Sequence, residues 1–246
     1  MELNIDRFKA YQATIESELG EAVTIDGVGT DLFIFQRQNG HRHSTDDAAT
    51  AWYAAQNAPN AKQILDLGSG IGSVGLGTLA LIKSTTHLTC IEAQEISFKL
   101  LRANIACNNL SDKVITINGD LRELKTEKRF DLITGSPPYF PIGTGALPPD
   151  SQKAYARFEL RGDVSDYARA AQEHLTPDGI FVFCFPFRQK SRCLDLISQT
   201  KLKIFKIRDV VPHAGKLALF SLYATSLDQK RALVVEAPLV IADLTL

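Results

Sequence analysis

Apolar and polar positions change period along this chain, and the change marks out its parts. Phe8, Tyr11, Ile15 and Leu19 recur at roughly helical spacing, and Gly20 can end that helix. Val23–Ile25 and Leu32–Phe35 are short apolar runs around Gly27 and Gly29, which predicts a hairpin. The stretch Asn39–Asp47 is polar and turn-like, and Ser44 or Thr45 can cap a helix over Ala48–Ala55. From residue 62 the pattern alternates. Strands are expected at Gln63–Leu67, His87–Ile91, Val114–Ile117, Phe130–Thr134 and Ile180–Phe185, with helices at Ser73–Ile82, Gln94–Asn108 and Val164–Leu175. Strands alternating with helices imply an α/β fold, a parallel sheet covered on both faces. Two last apolar segments, Lys203–Val211 and Leu217–Thr225, flank a turn near His213–Gly215 and should pair antiparallel. The expected division is an N-terminal helix and hairpin over 1–60 and a main domain over 61–246, joined in one globular unit.

With 45% hydrophobic and 22% charged residues in 246, the chain can bury a real core. A net charge of −1 excludes a uniformly basic nucleic-acid binder, so any such contact must be local. One local excess exists. Between residues 188 and 208, Arg188, Lys190, Arg192, Lys201, Lys203, Lys206 and Arg208 face only Asp195, a stretch that reads equally as a phosphate-contacting patch or a solvated helix and strand edge. Cys90, Cys107, Cys184 and Cys193 have no metal-ligand spacing and read as reduced thiols. His41-x-His43 lacks further ligands at suitable spacing, so no metal is expected. The first residues show no basic segment leading into an apolar stretch, and the longest apolar run, around Gly179–Phe187, is too short for a bilayer. The expectation is a cytoplasmic protein, acting as a monomer and away from membranes.

The chemistry concentrates after two of the expected strands. Asp66 ends the first strand of the alternating region; Gly68, Gly70 and Gly72 follow, and a helix begins near Ser73. Glycines suit a backbone that turns sharply and approaches a ligand closely, and the helix N-terminus favours a carboxylate-bearing one. Such a ligand sits at the carboxyl ends of the strands. Gly70-x-Gly72-x-x-Gly75 formally matches a dinucleotide fingerprint, but Asp66 would repel a pyrophosphate. It suits the amino group of a methionine moiety. Glu92 closes the next strand, where acids hydrogen-bond ribose hydroxyls; Asp120, with Leu121 beside it, follows the third, where it can accept from an adenine amino group. These positions point to S-adenosylmethionine.

Ser136-Pro137-Pro138-Tyr139-Phe140 directly follows the fourth strand, at the same edge. Two prolines remove two donors and leave nearby carbonyls to accept from a ligand. A planar exocyclic amine is a poor nucleophile because its lone pair is delocalised. Accepting its N–H groups at the Pro137 carbonyl and the Ser136 side chain would draw the nitrogen toward sp³, while Tyr139 stacks on the ring. That is catalysis by positioning and electrostatics.

These motifs resemble those of amino-group methyltransferases, whose clamp is usually Asn-Pro-Pro-Tyr or Asp-Pro-Pro-Tyr. The Asn39–Asp47 segment, the clamp with its extension through Gly145, Ala156-Arg157-Phe158-Glu159-Leu160 and Leu239-Val240-Ile241-Ala242-Asp243 are together similar to the bacterial tRNA adenine-N6 methyltransferases that modify a valine tRNA next to its anticodon. The resemblance implies a Rossmann-like fold with a mostly parallel seven-stranded sheet ending in an antiparallel hairpin. It implies tRNA as substrate. It also implies that the segment around Arg42–Asp47, Arg42 and Asp46 included, closes over the cofactor, and that Arg157 and Glu159 shape the acceptor pocket. The basic Arg188, Lys190, Lys201 and Lys203 are then candidates for RNA contact. Position 136 departs from the pattern: serine is shorter than asparagine and its hydroxyl can also donate. Ser-Pro-Pro-Tyr is a form seen in enzymes resembling cytosine-N4 methyltransferases. The alternatives at this point are a cytosine acceptor, a protein glutamine amide, and a non-catalytic cofactor-binding scaffold.

Overall fold

The computed structural model describes residues 2–29, 31–82 and 85–244. Helix α1 (Glu2–Leu19) is followed by the strands β1 (Val23–Gly27) and β2 (Phe33–Arg37), which pair antiparallel with Val23 opposite Arg37. Helix α2 (Thr45–Asn57) leads into the alternating region: β3 (Gln63–Leu67), α3 (Ser73–Leu81), β4 (His87–Glu92), α4 (Glu95–Cys107), β5 (Val114–Asn118) and β6 (Phe130–Gly135). Then come α5 (Ser151–Arg157), α6 (Val164–His174), β7 (Leu175–Pro186), α7 (Lys190–Ser198), β8 (Lys203–Val211) and β9 (Phe220–Ser226). Two two-residue strands close the order, β10 (Val234–Val235) and β11 (Leu239–Val240).

The main sheet has the order β10-β8-β9-β7-β6-β3-β4-β5, with β11 also on β8. Strands β5, β4, β3, β6 and β7 run parallel. The central strands must be apolar on both faces because helices cover both sides; accordingly Ile64, Leu65, Leu67, Leu132 and Ile133 are fully buried. The closing hairpin forms as expected, with one detail that apolar pattern does not encode: β9 inserts between β7 and β8, antiparallel to both. Strand β8 therefore runs in the sense of β7, with Val211 at the carboxyl edge and Lys203 at the opposite edge. The short β10 and β11 cover the outer edge of β8. Among the described residues no helix is long and apolar enough to cross a membrane.

The N-terminal hairpin is fastened to α4 by two carboxamides that act as a substitute neighbouring strand. Asn104 accepts from the Phe35 N–H (2.6 Å) and donates to the Phe35 carbonyl (3.4 Å) and the Ile71 carbonyl (2.9 Å). Asn108 does the same at Phe33, accepting at 3.2 Å and donating at 2.7 Å. Phe8 of α1 packs on Phe35, ring centroids 4.6 Å apart, in one core cluster with Leu76, Leu100 and Leu101. Asn104→Ala should cost about 2–4 kcal/mol, because it leaves buried backbone groups at Phe35 and Ile71 without partners. Urea denaturation followed by circular dichroism checks this; a loss under about 0.5 kcal/mol would show the anchor to be dispensable.

Candidate active site

A cleft of about 330 Å³ opens at the carboxyl edge of β3, β4, β5 and β6. It brings the glycine turn, Glu92, Asp120, Leu121, Ser136 to Phe140 and Arg157 together with Asp46 and Asp66. The three glycines of the turn all have positive φ, but they serve different neighbours. Gly68 has φ +60°, and a Cβ there would lie 2.3 Å from the Tyr167 hydroxyl. At Gly72 it would strike Leu101 and Leu76. Gly70, at φ +56°, has open space where its Cβ would point. Gly68 and Gly72 therefore exist for packing as well as turning, and Gly70 keeps the cleft clear. Tyr167 also packs on Gly135, so one ring supports the glycine turn and the root of the clamp.

Asp66 is buried beneath the turn. Its carboxyl accepts from the Thr134 hydroxyl of β6 (2.7 Å) and the Gly75 N–H of α3 (3.2 Å). Burial among neutral partners pushes its pKa up to about 7. Asp47, bonded to the Ser73 hydroxyl (2.9 Å), is pushed up to about 7 for the same first reason, burial. Glu92 accepts from the Gly70 N–H (2.7 Å) and the Gln94 N–H (2.6 Å), and burial raises its pKa too. Asp120 is fixed by Arg122, which donates from its main chain and twice from its side chain (2.6–3.0 Å) and holds the carboxyl below the usual range.

Opposite this acidic floor stands the strap before α2. His41, His43, Ser44 and Asp46 face the cleft, while Arg42 points the other way to Thr24 (2.9 Å) and Asp26 (3.0 Å) on β1. Extended backbone alternates its side chains, so the strap offers its histidines and not Arg42; Arg42 is thus outside the cleft in which it was expected. Burial lowers the pKa of both His41 and His43. Among the described residues no group of three or more His, Cys, Asp or Glu side chains is placed to share a metal ion.

The clamp leaves β6 with Pro137 and Pro138 buried and Ser136 half-buried. The Tyr139 hydroxyl donates to Asp46 (2.5 Å) and lies 3.1 Å from the Cys184 sulfur; burial holds its proton well above the usual tyrosine range. Its ring meets Phe185 edge-on, centroids 5.6 Å apart. Both the Tyr139 and Phe140 N–H groups donate to the Arg157 carbonyl (3.0 and 2.9 Å). Glu159, expected to shape the acceptor pocket through its side chain, is instead bound by Arg192 (2.6 Å), outside the cleft lining.

The basic stretch does not form one patch. Arg188 is exposed at the carboxyl edge, and Lys190 is paired with Asp209 (2.9 Å). Lys201 and Lys203 stand at the start of β8, roughly 25 Å from the cleft edge at 3.3 Å per strand residue. Lys203 spends its ammonium on the Gln229 carbonyl. Sequence reasoning missed several cleft residues: Gln152, Tyr155, Arg161 and Tyr167. Gln152 of α5 accepts from the His41 N–H (3.0 Å) and Arg37 (3.1 Å) and donates to Ser97 (3.0 Å), joining strap, hairpin and α4. Arg161 stacks on Tyr155 at 4.1 Å. Only the capping signal of Asp150 ahead of α5 was available to mark that helix.

The Methyltransferase small domain family matches residues 36–145, from β2 through the clamp. This fold and this family define an S-adenosylmethionine-dependent N-methyltransferase. Two relatives carry the name tRNA1(Val) (adenine(37)-N6)-methyltransferase. That from Shewanella sp. strain W3-18-1 is 31% identical over 65% of this chain and 67% of its own length. That from Porphyromonas gingivalis strain W83 is 30% identical over 78% and 80%. The chain belongs to the tRNA1(Val) (adenine(37)-N6)-methyltransferase family. A release factor glutamine methyltransferase from Clostridium botulinum strain Hall is 28% identical over 64% of this chain and 58% of its own length. Among solved structures, the tRNA m1G37 methyltransferase of M. jannaschii superposes with a TM-score of 0.58 at 14% identity, covering 85% of this chain and 55% of that one, which shows the shared fold.

The cleft carboxyls make a prediction about pH. Asp47 and Asp66 hold their protons far more tightly folded than at the unfolded value of 3.8. The stability they contribute is complete below that value and is lost as pH rises through about 7. The melting temperature of the ligand-free protein should therefore fall between about pH 4 and 7, the window between the unfolded and folded values, and level off above it. Asp66→Asn and Asp47→Asn should each flatten it. Scanning calorimetry across that range checks this, and an unchanged slope in both variants would contradict the assignment.

Proposed function

We propose that this enzyme transfers a methyl group from S-adenosylmethionine to adenine N6 in tRNA. The observation that carries the reading is the position of the Ser136–Tyr139 clamp on the same cleft as the glycine turn, with the Pro137 carbonyl accepting no hydrogen bond among the described residues. The family named above supports adenine in tRNA as the acceptor.

The residues present fit the cofactor. Gly70 leaves the turn open, and among the described residues no cation is paired with the buried Asp47 and Asp66, which favours a positively charged ligand. Glu92 has used one lone pair on each oxygen for backbone N–H groups and has others for ribose hydroxyls. Asp120 and Leu121 would border the adenine. Asp66 would act mainly from below: its contacts with Thr134 and Gly75 fix the turn. When bound, S-adenosylmethionine supplies an electrophilic methyl group on a sulfonium sulfur. The chain's own part is positioning. The Pro137 carbonyl and Ser136 hydroxyl accept the N–H groups of the acceptor amine, which localises its lone pair. Tyr139 presents a ring face against the base, its direction set by Asp46 and Phe185. No strong base is needed, because the amine becomes acidic once methylated. Arg157, in the cleft lining and exposed, and Arg188, exposed beyond β7, are available to phosphates.

The glutamine methyltransferase relative supports a second reading, a protein amide acceptor, because that amide is also planar and weakly nucleophilic. Incubation with labelled S-adenosylmethionine and either unmodified tRNA or protein extract separates the two. The expected product is N6-methyladenosine in the RNA; label in protein alone would replace the tRNA reading with the amide one.

Ser136→Ala should lower kcat about tenfold, the worth of one hydrogen bond of about 1.4 kcal/mol in the transition state. Ser136→Asn should keep or raise it, since a carboxamide oxygen also accepts. Tyr139→Ala should abolish transfer while Tyr139→Phe retains most of it. Steady-state kinetics with tRNA reads these, and full activity in Tyr139→Ala would remove the clamp from the mechanism.

A further inference from the structure

Tyr139 and Phe140 have all their main-chain polar groups engaged. Both N–H groups go to the Arg157 carbonyl, and the Phe140 carbonyl accepts from the Glu159 N–H at 2.9 Å. The remaining group, the Tyr139 carbonyl, accepts from the side-chain amide of Gln189 at 2.9 Å. Gln189 lies about fifty residues further along the chain, in the 3₁₀ turn Phe187–Gln189 that joins β7 to α7. Its carboxamide is itself oriented. The Gln189 oxygen accepts from one Arg192 nitrogen (3.0 Å), and the other Arg192 nitrogen holds both oxygens of Glu159 (2.6 and 2.7 Å). Glu159 returns to the clamp through its own N–H. The result is a closed circuit running Tyr139 carbonyl, Gln189, Arg192, Glu159, Phe140 carbonyl.

We propose that Gln189 is a positioning residue for methyl transfer, which with Arg192 and Glu159 braces the clamp so that the Pro137 carbonyl stays aimed at the acceptor amine. Three physical points carry this. First, the two prolines have no N–H of their own, so the clamp cannot be held by a strand ladder and needs tethers just beyond it. Second, the Tyr139 carbonyl stands two residues from the Pro137 carbonyl; occupied by Gln189, it is withdrawn from competition for the amine. Third, the circuit includes a charge-assisted contact in which one Arg192 nitrogen serves both Glu159 oxygens, and hydrogen bonds between ionised partners are the strong ones. The brace explains why Glu159 points at Arg192 and away from the cleft. It acts whichever amine is the acceptor, so it does not depend on tRNA being the substrate.

Two variants separate bonding from packing. Gln189→Ala deletes both bonds and the side-chain volume, whereas Gln189→Met deletes the bonds and keeps the volume. Both should lower kcat by about tenfold or more, since small misplacement of a reacting group carries losses up to roughly a hundredfold. The Kd for S-adenosylhomocysteine by calorimetry, KM for the acceptor and the melting temperature should stay close to wild type. Kinetics use the acceptor that the wild-type protein methylates, so a wrong acceptor appears as inactive wild type and not as a variant effect. Wild-type kcat in Gln189→Ala would overturn the proposal. So would recovery by Gln189→Met, which would make Gln189 a packing residue, or a kcat loss matched by an equal loss of folded protein or cofactor affinity.

Discussion

The site depends on one buried carboxyl. Asp66 lies under the glycine turn at the end of β3 and reaches both Thr134 on β6 and the first turn of α3. Strand β6 continues directly into the clamp. A single side chain thus couples the loop that would cradle a cofactor to the strand that would deliver the acceptor's partners. The cost is a desolvated carboxyl among neutral partners, seen in its raised pKa. A parallel sheet supplies the rest: its connections return the functional loops to the same edge, so residues from 41 to 167 line one small volume.

Support beneath the site is as specific as the site. Tyr167 occupies the space that Cβ atoms at Gly68 and Gly135 would need. Gln152 ties the strap to the hairpin and α4. The Asp46–Tyr139 bond joins strap to clamp. The two walls of the cleft are therefore linked through Tyr139, the ring proposed to face the acceptor base, and movement of the strap would be felt there.

The parts legible in the sequence are those whose cause is local. Alternating strands and helices, the Gly68–Gly72 turn and the Ser-Pro-Pro-Tyr clamp follow from short-range periodicity and from residues with unusual backbone properties. What the sequence hides is direction and depth. Seven basic residues between 188 and 208 look like one patch, yet Arg188 stays at the carboxyl edge, Lys190 and Arg192 lie on α7, and Lys201 and Lys203 stand at the far end of β8, whose sense is set by the insertion of β9. Arg42 and its histidine neighbours look equivalent until the alternation of the strap turns them to opposite sides. Gln189 and Gln152 are ordinary polar residues with partners, Tyr139 and His41, far off in the chain, so no spacing rule could have selected them. Strands β10 and β11, with two residues each, are too short to leave a pattern.

The central claim is that one cleft holds cofactor and acceptor amine together, with the clamp carbonyl as the amine's partner. Its most direct test is a crystal structure with a bisubstrate analogue in which adenine N6 is linked covalently to the cofactor's methyl-donating position. The account predicts the adenosyl ribose on Glu92, the acceptor N6 within hydrogen-bond reach of the Pro137 carbonyl, and the acceptor ring against Tyr139. An acceptor ring bound away from Tyr139, with the Pro137 carbonyl facing solvent, would contradict it.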